Sequence, residues 1–236
     1  MKEVIFKDNE EYKKAIEKKY VSEGSEASIY KYKGDSALRI YDIDNGLYSP
    51  ITGKFVGKEQ EGLLVENLCV YQKNIKLTDL PFGIVKINDI VIGQLIKYYK
   101  NSITLIDFFK GSPSVEPILY YLQVLDILEE LALNGICYED VHGGNFLVVG
   151  DDLRLIDFSD SRVKVDQNFN GMYYPLFQNF NTMVNKLTFD VLKCEDEYSK
   201  LEIPLEIKNS KDNLKENFDI VRNLVNGMPN GRDRGR

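Results

Sequence analysis

Two carboxylates and one carboxamide stand close together near the middle of this 236-residue chain. The run Tyr138-Glu139-Asp140-Val141-His142-Gly143-Gly144-Asn145 puts an acid and an amide five residues apart, and Asp157-Phe158-Ser159 brings a second acid twelve residues after Asn145. Phosphoryl transfer asks for such a set: one carboxylate to position a hydroxyl, and two oxygen ligands to hold Mg²⁺ on ATP phosphates. The plainer reading is that Asp140 and Asn145 cap or turn the chain and Asp157 opens a loop.

Elements must deliver those three side chains. Phe146 to Val149 and Leu153-Arg154-Leu155-Ile156 are apolar and strand-like, with a turn at Gly150-Asp151-Asp152, so Asn145 and Asp157 flank a hairpin. Upstream, Glu116 to Asn134 reads as a long amphipathic helix with Ile118, Leu119, Leu122, Leu125, Leu128, Leu131 and Leu133 as its apolar stripe, ended by Gly135. Ser102-Ile103-Thr104-Leu105 reads as the cap of a short helix. The first part of the chain is strand-rich. Residues 8–19 suit a helix capped by Asp8 or Asn9. Tyr20 to Lys33 reads as a strand, a Gly24-containing loop and a second strand, alternating apolar and polar through 29–33. Gly34-Asp35 is a turn and Ser36 to Tyr41 a third strand. Residues 58–73 suit a helix with Leu63, Leu64, Leu68 and Tyr71 on its apolar side. Phe82–Ile87 and Ile90–Ile96 are strands about an Asn88-Asp89 turn. Beyond Asp160 the pattern is weaker: a polar loop at 166–171, helices over 176–193 and 211–226, and a polar tail expected to be disordered.

Asp140, Asn145 and Asp157, in this order of elements, resemble the catalytic loop and metal motif of the protein-kinase-like superfamily, H-R-D-x-x-x-x-N and D-F-G. The resemblance covers roughly residues 20–160. It implies an α+β, bilobal fold with an antiparallel-sheet lobe over residues 1–96, a shortened helical lobe over 97–226 and a tail over 227–236. It also implies ATP with Mg²⁺ as cofactors, Mn²⁺ being an alternative. Asp140 matches the residue that orients the acceptor hydroxyl, and Asn145 and Asp157 match the metal ligands. Ser22-Glu23-Gly24-Ser25-Glu26-Ala27-Ser28-Ile29 aligns with the glycine-rich loop, keeping Gly24 alone, with Ser22, Ser25, Ala27 and Ile29 lining the nucleotide. Arg39, in Ser36-Ala37-Leu38-Arg39, stands where the phosphate-anchoring lysine is expected, beside Ala37. It keeps the charge and changes its shape to a planar fork. Lys31 and Lys33 are alternatives, and a surface charge is the plain reading of Arg39. Its helix partner is expected at Glu61, since Val65 and Leu68 follow at core spacing, with Glu59 and Glu66 as rivals. Ile96-Lys97-Tyr98-Tyr99 aligns with the hinge whose backbone reads adenine.

Other departures shape the expected activity. Tyr138-Glu139 replaces His-Arg, so the arginine that reads a phosphorylated activation loop is absent. Ser159 replaces the glycine of D-F-G, and no A-P-E-like triplet follows. His142 makes the loop D-x-H-x-x-N, as in aminoglycoside- and choline-kinase-like phosphotransferases. It suits a loop-ordering or phosphate-proximal role, or a structural one. Three functions follow from the resemblance: a minimal, atypical, bacterial-type Ser/Thr protein kinase first; a small-molecule phosphotransferase second; a pseudokinase binding module third. The acceptor is accordingly a protein or a small-molecule hydroxyl.

Composition narrows the class. The net charge of −7 argues against broad nucleic-acid binding. No apolar run approaches membrane-spanning length, and the N-terminus turns charged without a signal-peptide core, so a cytoplasmic site is expected, or a host cytoplasm for a delivered effector. Cys69, Cys137 and Cys194 read as separate thiols, and a single histidine excludes His-rich metal chemistry.

Overall fold

The computed structural model describes all residues except 24–26, 42–47, 50–53, 56–58, 113–115, 160, 164–172, 194–199, 204–212 and 229–236, and leaves aside the side chains at 48–49, 54–55, 59–61 and 173–174. The loop at 166–171, Cys194 and the tail from 229 fall outside it. The fold is α+β, with a six-stranded mixed sheet, three smaller sheets and six α-helices among the described residues. Two compact units form, Met1–Asn74 with Asp79–Lys100, and Ile75–Thr78 with Asn101–Arg236.

The first unit runs β1 (Lys2–Phe6), α1 (Asn9–Ile16), β2 (Tyr20–Glu23), β3 (Ala27–Lys31), β4 (Ser36–Tyr41), β5 (Tyr48–Ser49), β6 (Lys54–Phe55), α2 (Glu59–Tyr71), β7 (Gly83–Ile87) and β8 (Ile90–Lys97). Its main sheet is ordered β1-β7-β8-β4-β3-β2, all antiparallel but for the parallel pair of β1 with β7. Asp8 caps α1, its carboxylate accepting from the N–H groups of Glu10 and Glu11. The turn between β7 and β8 carries Asn88 at a φ of 54°.

One sheet face, through Leu38, Ile40, Val85, Ile87 and Leu95, packs with Phe6 and the α1 residue Tyr12. Strand alternation sends Ala37, Arg39 and Tyr41 to the other face. There α2 packs on β7 and β8, with Gly62 against Val91 and with Val65 and Leu68 wholly buried. Leu63, expected on the apolar stripe, is 58% exposed. The buried face of α2 is centred on Gly62, Val65 and Leu68, where the missing glycine side chain lets the helix approach the sheet, and Leu63 is turned away from it.

The second unit runs β9 (Ile103–Thr104), α3 (Leu105–Gly111), α4 (Pro117–Leu133), β10 (Ile136–Tyr138), β11 (Phe146–Val149), β12 (Asp152–Leu155), β13 (Ser161–Val163), α5 (Tyr173–Lys186), a π-helical turn (Leu187–Val191) and α6 (Leu214–Asn226). Pro117 opens α4 and Gly135, at a φ of 80°, follows its end. The helix buries a wide arc that includes Tyr121, Val124, Leu125, Leu128 and Leu131, because α6, β10 and β12 all pack on it. Leu119 and Leu133, expected in the stripe, are each 56% exposed, since they fall outside that arc. Arg222 of α6 bonds Asp126 and Glu129 of α4 at 2.8 and 2.6 Å. Phe218 of α6 meets Phe177 of α5 with ring centroids 4.9 Å apart.

The segment Ile75–Thr78 belongs to this second unit. The N–H groups of Lys76 and Leu77 donate to the Glu130 carboxylate, and Arg154 donates to the Leu77 carbonyl. The Thr78 hydroxyl, 4% exposed as a residue, both accepts from the Leu155 N–H and donates to the Leu155 carbonyl, each at 3.0 Å. No helix among the described residues is long and apolar enough to cross a membrane.

Candidate functional site

The second unit brings Asp140, Asn145 and Asp157 to one place through two short pairings. β11 and β12 form an antiparallel hairpin whose last pair is Phe146 with Leu155. One step beyond it the Ile156 N–H donates to the Asn145 carbonyl at 2.8 Å, so Asn145 and Asp157 leave the open end of the hairpin together. β10 and β13 pair Tyr138 with Ser161, which brings the start of the Asp140 loop beside the chain that follows Asp157. The rings of Tyr138 and Phe158, both buried, meet edge-on with centroids 6.0 Å apart and fasten the same join from inside.

Asn145 is 7% exposed, and its carboxamide nitrogen donates inward: to Asp140 Oδ2 at 2.7 Å, to the Asp140 carbonyl at 3.1 Å and to the Tyr138 hydroxyl at 2.8 Å. With Nδ2 committed to donation, Oδ1 is the amide's remaining acceptor atom. The same bond fixes one Asp140 oxygen. His142 fixes it again, with Nε2 3.2 Å from Asp140 Oδ2. The Gly144 N–H donates to His142 Nδ1 at 3.1 Å, so the ring proton sits on Nε2 and points at the carboxylate. His142 therefore orders the loop. The paired glycines permit this turn: a Cβ on Gly144 would lie 2.9 Å from the His142 ring, and one on Gly143 would lie 2.9 Å from Ile106.

Asp157 takes a left-handed backbone with a φ of 60°, and its Oδ1 accepts from the Ser159 N–H at 3.2 Å. Asp and Asn are the residues other than glycine that most readily hold that conformation. Glu139, where the resemblance expects an arginine, pairs with Arg162 at 3.0 Å, and its carbonyl accepts from the Asn179 side chain. A carboxylate at this point repels a phosphate, and the segment after Asp157 is tied by Arg162 instead.

No family model matches the chain, and no curated protein matches it.

The remaining expected site residues lie in the first unit. Arg39 is 5% exposed, which sets aside a surface-charge role. Its guanidinium stands 5.5 Å from the Tyr41 ring centroid and its strand neighbours are Ile29 and Gln94. Glu61 sits on α2, the helix that covers this same sheet face, and its side chain, like that of Glu59, lies outside the described residues. The rival Glu66 is exposed. Lys31 and Lys33 stand over the rings of Tyr98 and Tyr32. Ser22 is exposed on β2, Ala27 and Ala37 are buried and Ile29 is half-buried, while Gly24 and Ser25 fall outside the described residues. Ile96 and Lys97 end β8, paired with Ala37 and Ser36. The Tyr98 N–H donates to the Asp35 carbonyl at 2.8 Å. Among the described residues no group of three or more His, Cys, Asp or Glu forms a ready-made metal centre.

Sequence reasoning missed Tyr138 as a participant, because an aromatic preceding an Asp carries no signal until the hairpin folds its hydroxyl onto Asn145.

Proposed function

We propose that this chain is an ATP-dependent phosphotransferase of the protein-kinase-like kind, transferring the γ-phosphate to a hydroxyl, with a Ser or Thr of a protein as the leading acceptor. The observation that carries the proposal is the bonded set Asp140–Asn145 with Asp157 beside it at the hairpin's open end. In this reading the two units correspond to the strand-rich and helix-rich lobes of that fold. Asp140, held by the Asn145 amide and His142, accepts the hydroxyl's hydrogen bond and aims its oxygen at phosphorus. Asn145 Oδ1 and the Asp157 carboxylate would hold Mg²⁺, whose charge offsets that of the phosphates. A hard cation that keeps water and phosphate oxygens in its shell needs only one or two protein ligands, so this small donor set fits it without a preformed acidic cluster. For Arg39, a buried cation, the role of phosphate anchor is proposed.

A second reading, a small-molecule phosphotransferase, is favoured by His142, whose contact with Asp140 gives the D-x-H-x-x-N loop a physical role. One experiment addresses both. Transfer from γ-labelled ATP is measured with and without Mg²⁺, wild type beside Asp140→Ala, offering the protein itself, a generic basic protein and an aminoglycoside. Label on a protein that Asp140→Ala loses supports the kinase reading, and label on the aminoglycoside alone supports the second. No Mg²⁺-dependent label on any acceptor favours a binding module.

A further inference from the structure

Among the described residues β12 is an edge strand: β11 lies on one side of it, and no described strand lies on the other in the order β12-β11-β9. An edge strand that must present a ligand two residues past its end has a problem, because unpaired backbone groups let the strand fray. At Leu155 the edge is closed by a single side chain, while further back the Leu153 N–H donates to Gln123 Oε1 at 2.8 Å and the Leu153 carbonyl accepts from Arg154 at 3.1 Å. Thr78 lies 77 residues away in sequence, yet its hydroxyl makes both hydrogen bonds that a neighbouring strand would make to Leu155. The threonine is itself held, since the segment before it is bound through the backbone of Lys76 and Leu77 to Glu130 of α4 and to Arg154 of β12. Both Glu130 and Arg154 belong to the same unit as Thr78. From Leu155 the chain reaches Ile156, whose N–H is bonded to Asn145, and then Asp157. The two expected metal ligands therefore hang from a backbone fixed on one side by β11 and on the other by Thr78.

We propose that Thr78 is a positioning residue for the metal ligand Asp157, acting through the backbone of Leu155. This rests on the phosphotransferase reading above. The hydroxyl never touches nucleotide or metal. It keeps Leu155, and so Asp157, in the register that a two-ligand cation site requires. Such sites tolerate little displacement, because octahedral Mg²⁺ at short oxygen distances demands near-ideal geometry.

The test compares Thr78→Ser with Thr78→Ala in the full chain. Both lose the methyl group and they differ by one oxygen, so packing loss is matched and the hydroxyl is isolated. The first readout is amide hydrogen exchange at Leu155 and Ile156 without nucleotide. Thr78→Ala is expected to exchange about tenfold faster there than Thr78→Ser, the usual scale for a lost buried hydrogen bond. The second is the Mg²⁺ concentration that half-saturates ATP binding. It is expected to rise about fivefold or more in Thr78→Ala and to stay near the wild-type value in Thr78→Ser. Equal Mg²⁺ midpoints in the two variants, beside an Asp157→Ala control that does shift, would overturn the positioning role. ATP binding that ignores Mg²⁺ in the wild type would overturn the phosphotransferase reading instead, and with it the ligand role of Asp157. The exchange arm, which needs no nucleotide, tells the two failures apart.

Discussion

Tyr138→Phe removes one oxygen and little else. The ring is wholly buried and keeps its contact with Phe158, so the substitution deletes only what the hydroxyl does. One thing it does is accept from Asn145 Nδ2 at 2.8 Å. That nitrogen carries two hydrogens and faces three acceptors, the others being the Asp140 carbonyl and Oδ2. Losing the phenol therefore still leaves each Asn145 hydrogen an acceptor. The cost of that one bond should sit at the ordinary net worth of a hydrogen bond, about 0.5–1.5 kcal/mol. If all of it is felt as loosened presentation of Asn145 Oδ1, the Mg²⁺ requirement rises by roughly 2- to 13-fold, taking RT as about 0.59 kcal/mol. If it is felt as stability, the midpoint of unfolding falls by a few degrees, given about 2–4 °C per kcal/mol for a chain of this size. The assay is a Mg²⁺ titration of ATP binding and of phosphotransfer, with a thermal melt on the same samples. A phenylalanine variant with an unshifted Mg²⁺ midpoint would refute the coupling of Tyr138 to the proposed metal ligand Asn145. A loss of 100-fold or more in transfer with an intact melt would refute it in the other direction, by giving the phenol a direct part in the chemistry.

Other expectations follow from the same geometry. Asp157→Ala should abolish Mg²⁺-dependent nucleotide binding, whereas Asp140→Ala should leave binding near wild type and lower transfer by at least about 100-fold, the scale of a lost acid–base group; full transfer by Asp157→Ala would remove the metal assignment. Arg222→Met should destabilise the second unit by about 1–3 kcal/mol in a denaturant titration, because it strands the largely buried Glu129 of α4 without its partner. Burial against Phe6, with a smaller contribution from Tyr30, pushes the Tyr12 phenol well above its ordinary range. Its raised value makes the neutral form the folded one, so its contribution to stability is complete below the unfolded pKa of about 10 and is lost as pH rises beyond it. Tyr12→Phe should flatten that alkaline decline in a melt-versus-pH series.

The parts of the fold that are legible in the sequence are those with local causes. Asp8 announces the start of α1 and Gly135 the end of α4, because capping is settled within a few residues. The β11–β12 hairpin is legible from two apolar runs about Gly150, whose φ of 65° needs no side chain. Asn145 and Asp157 flank that hairpin, so their backbones leave its open end together, as their spacing suggests. What is not legible depends on distant partners. β1 pairs in parallel with β7 some eighty residues on, and nothing within Lys2–Phe6 reports that neighbour. Leu119 and Leu133 match a helical stripe, but which arc of α4 is buried is decided by α6, β10 and β12. β10 and β13 are three-residue strands, too short for a period to show. Thr78 sits in Lys76-Leu77-Thr78-Asp79, where a threonine is unremarked until Leu155 is placed beside it.

The left-handed backbone at Asp157 sets two kinds of selection against each other. A population of variants sorted for resistance to protease or heat alone would enrich glycine there, which adopts the conformation freely, and asparagine, which tolerates it and can still accept from the Ser159 amide. On the proposed phosphotransferase reading, a population sorted for turnover would keep the carboxylate. The position at which the two sorted libraries part company is thus fixed by one dihedral angle, and the divergence itself would be a readout of what that residue is there to hold.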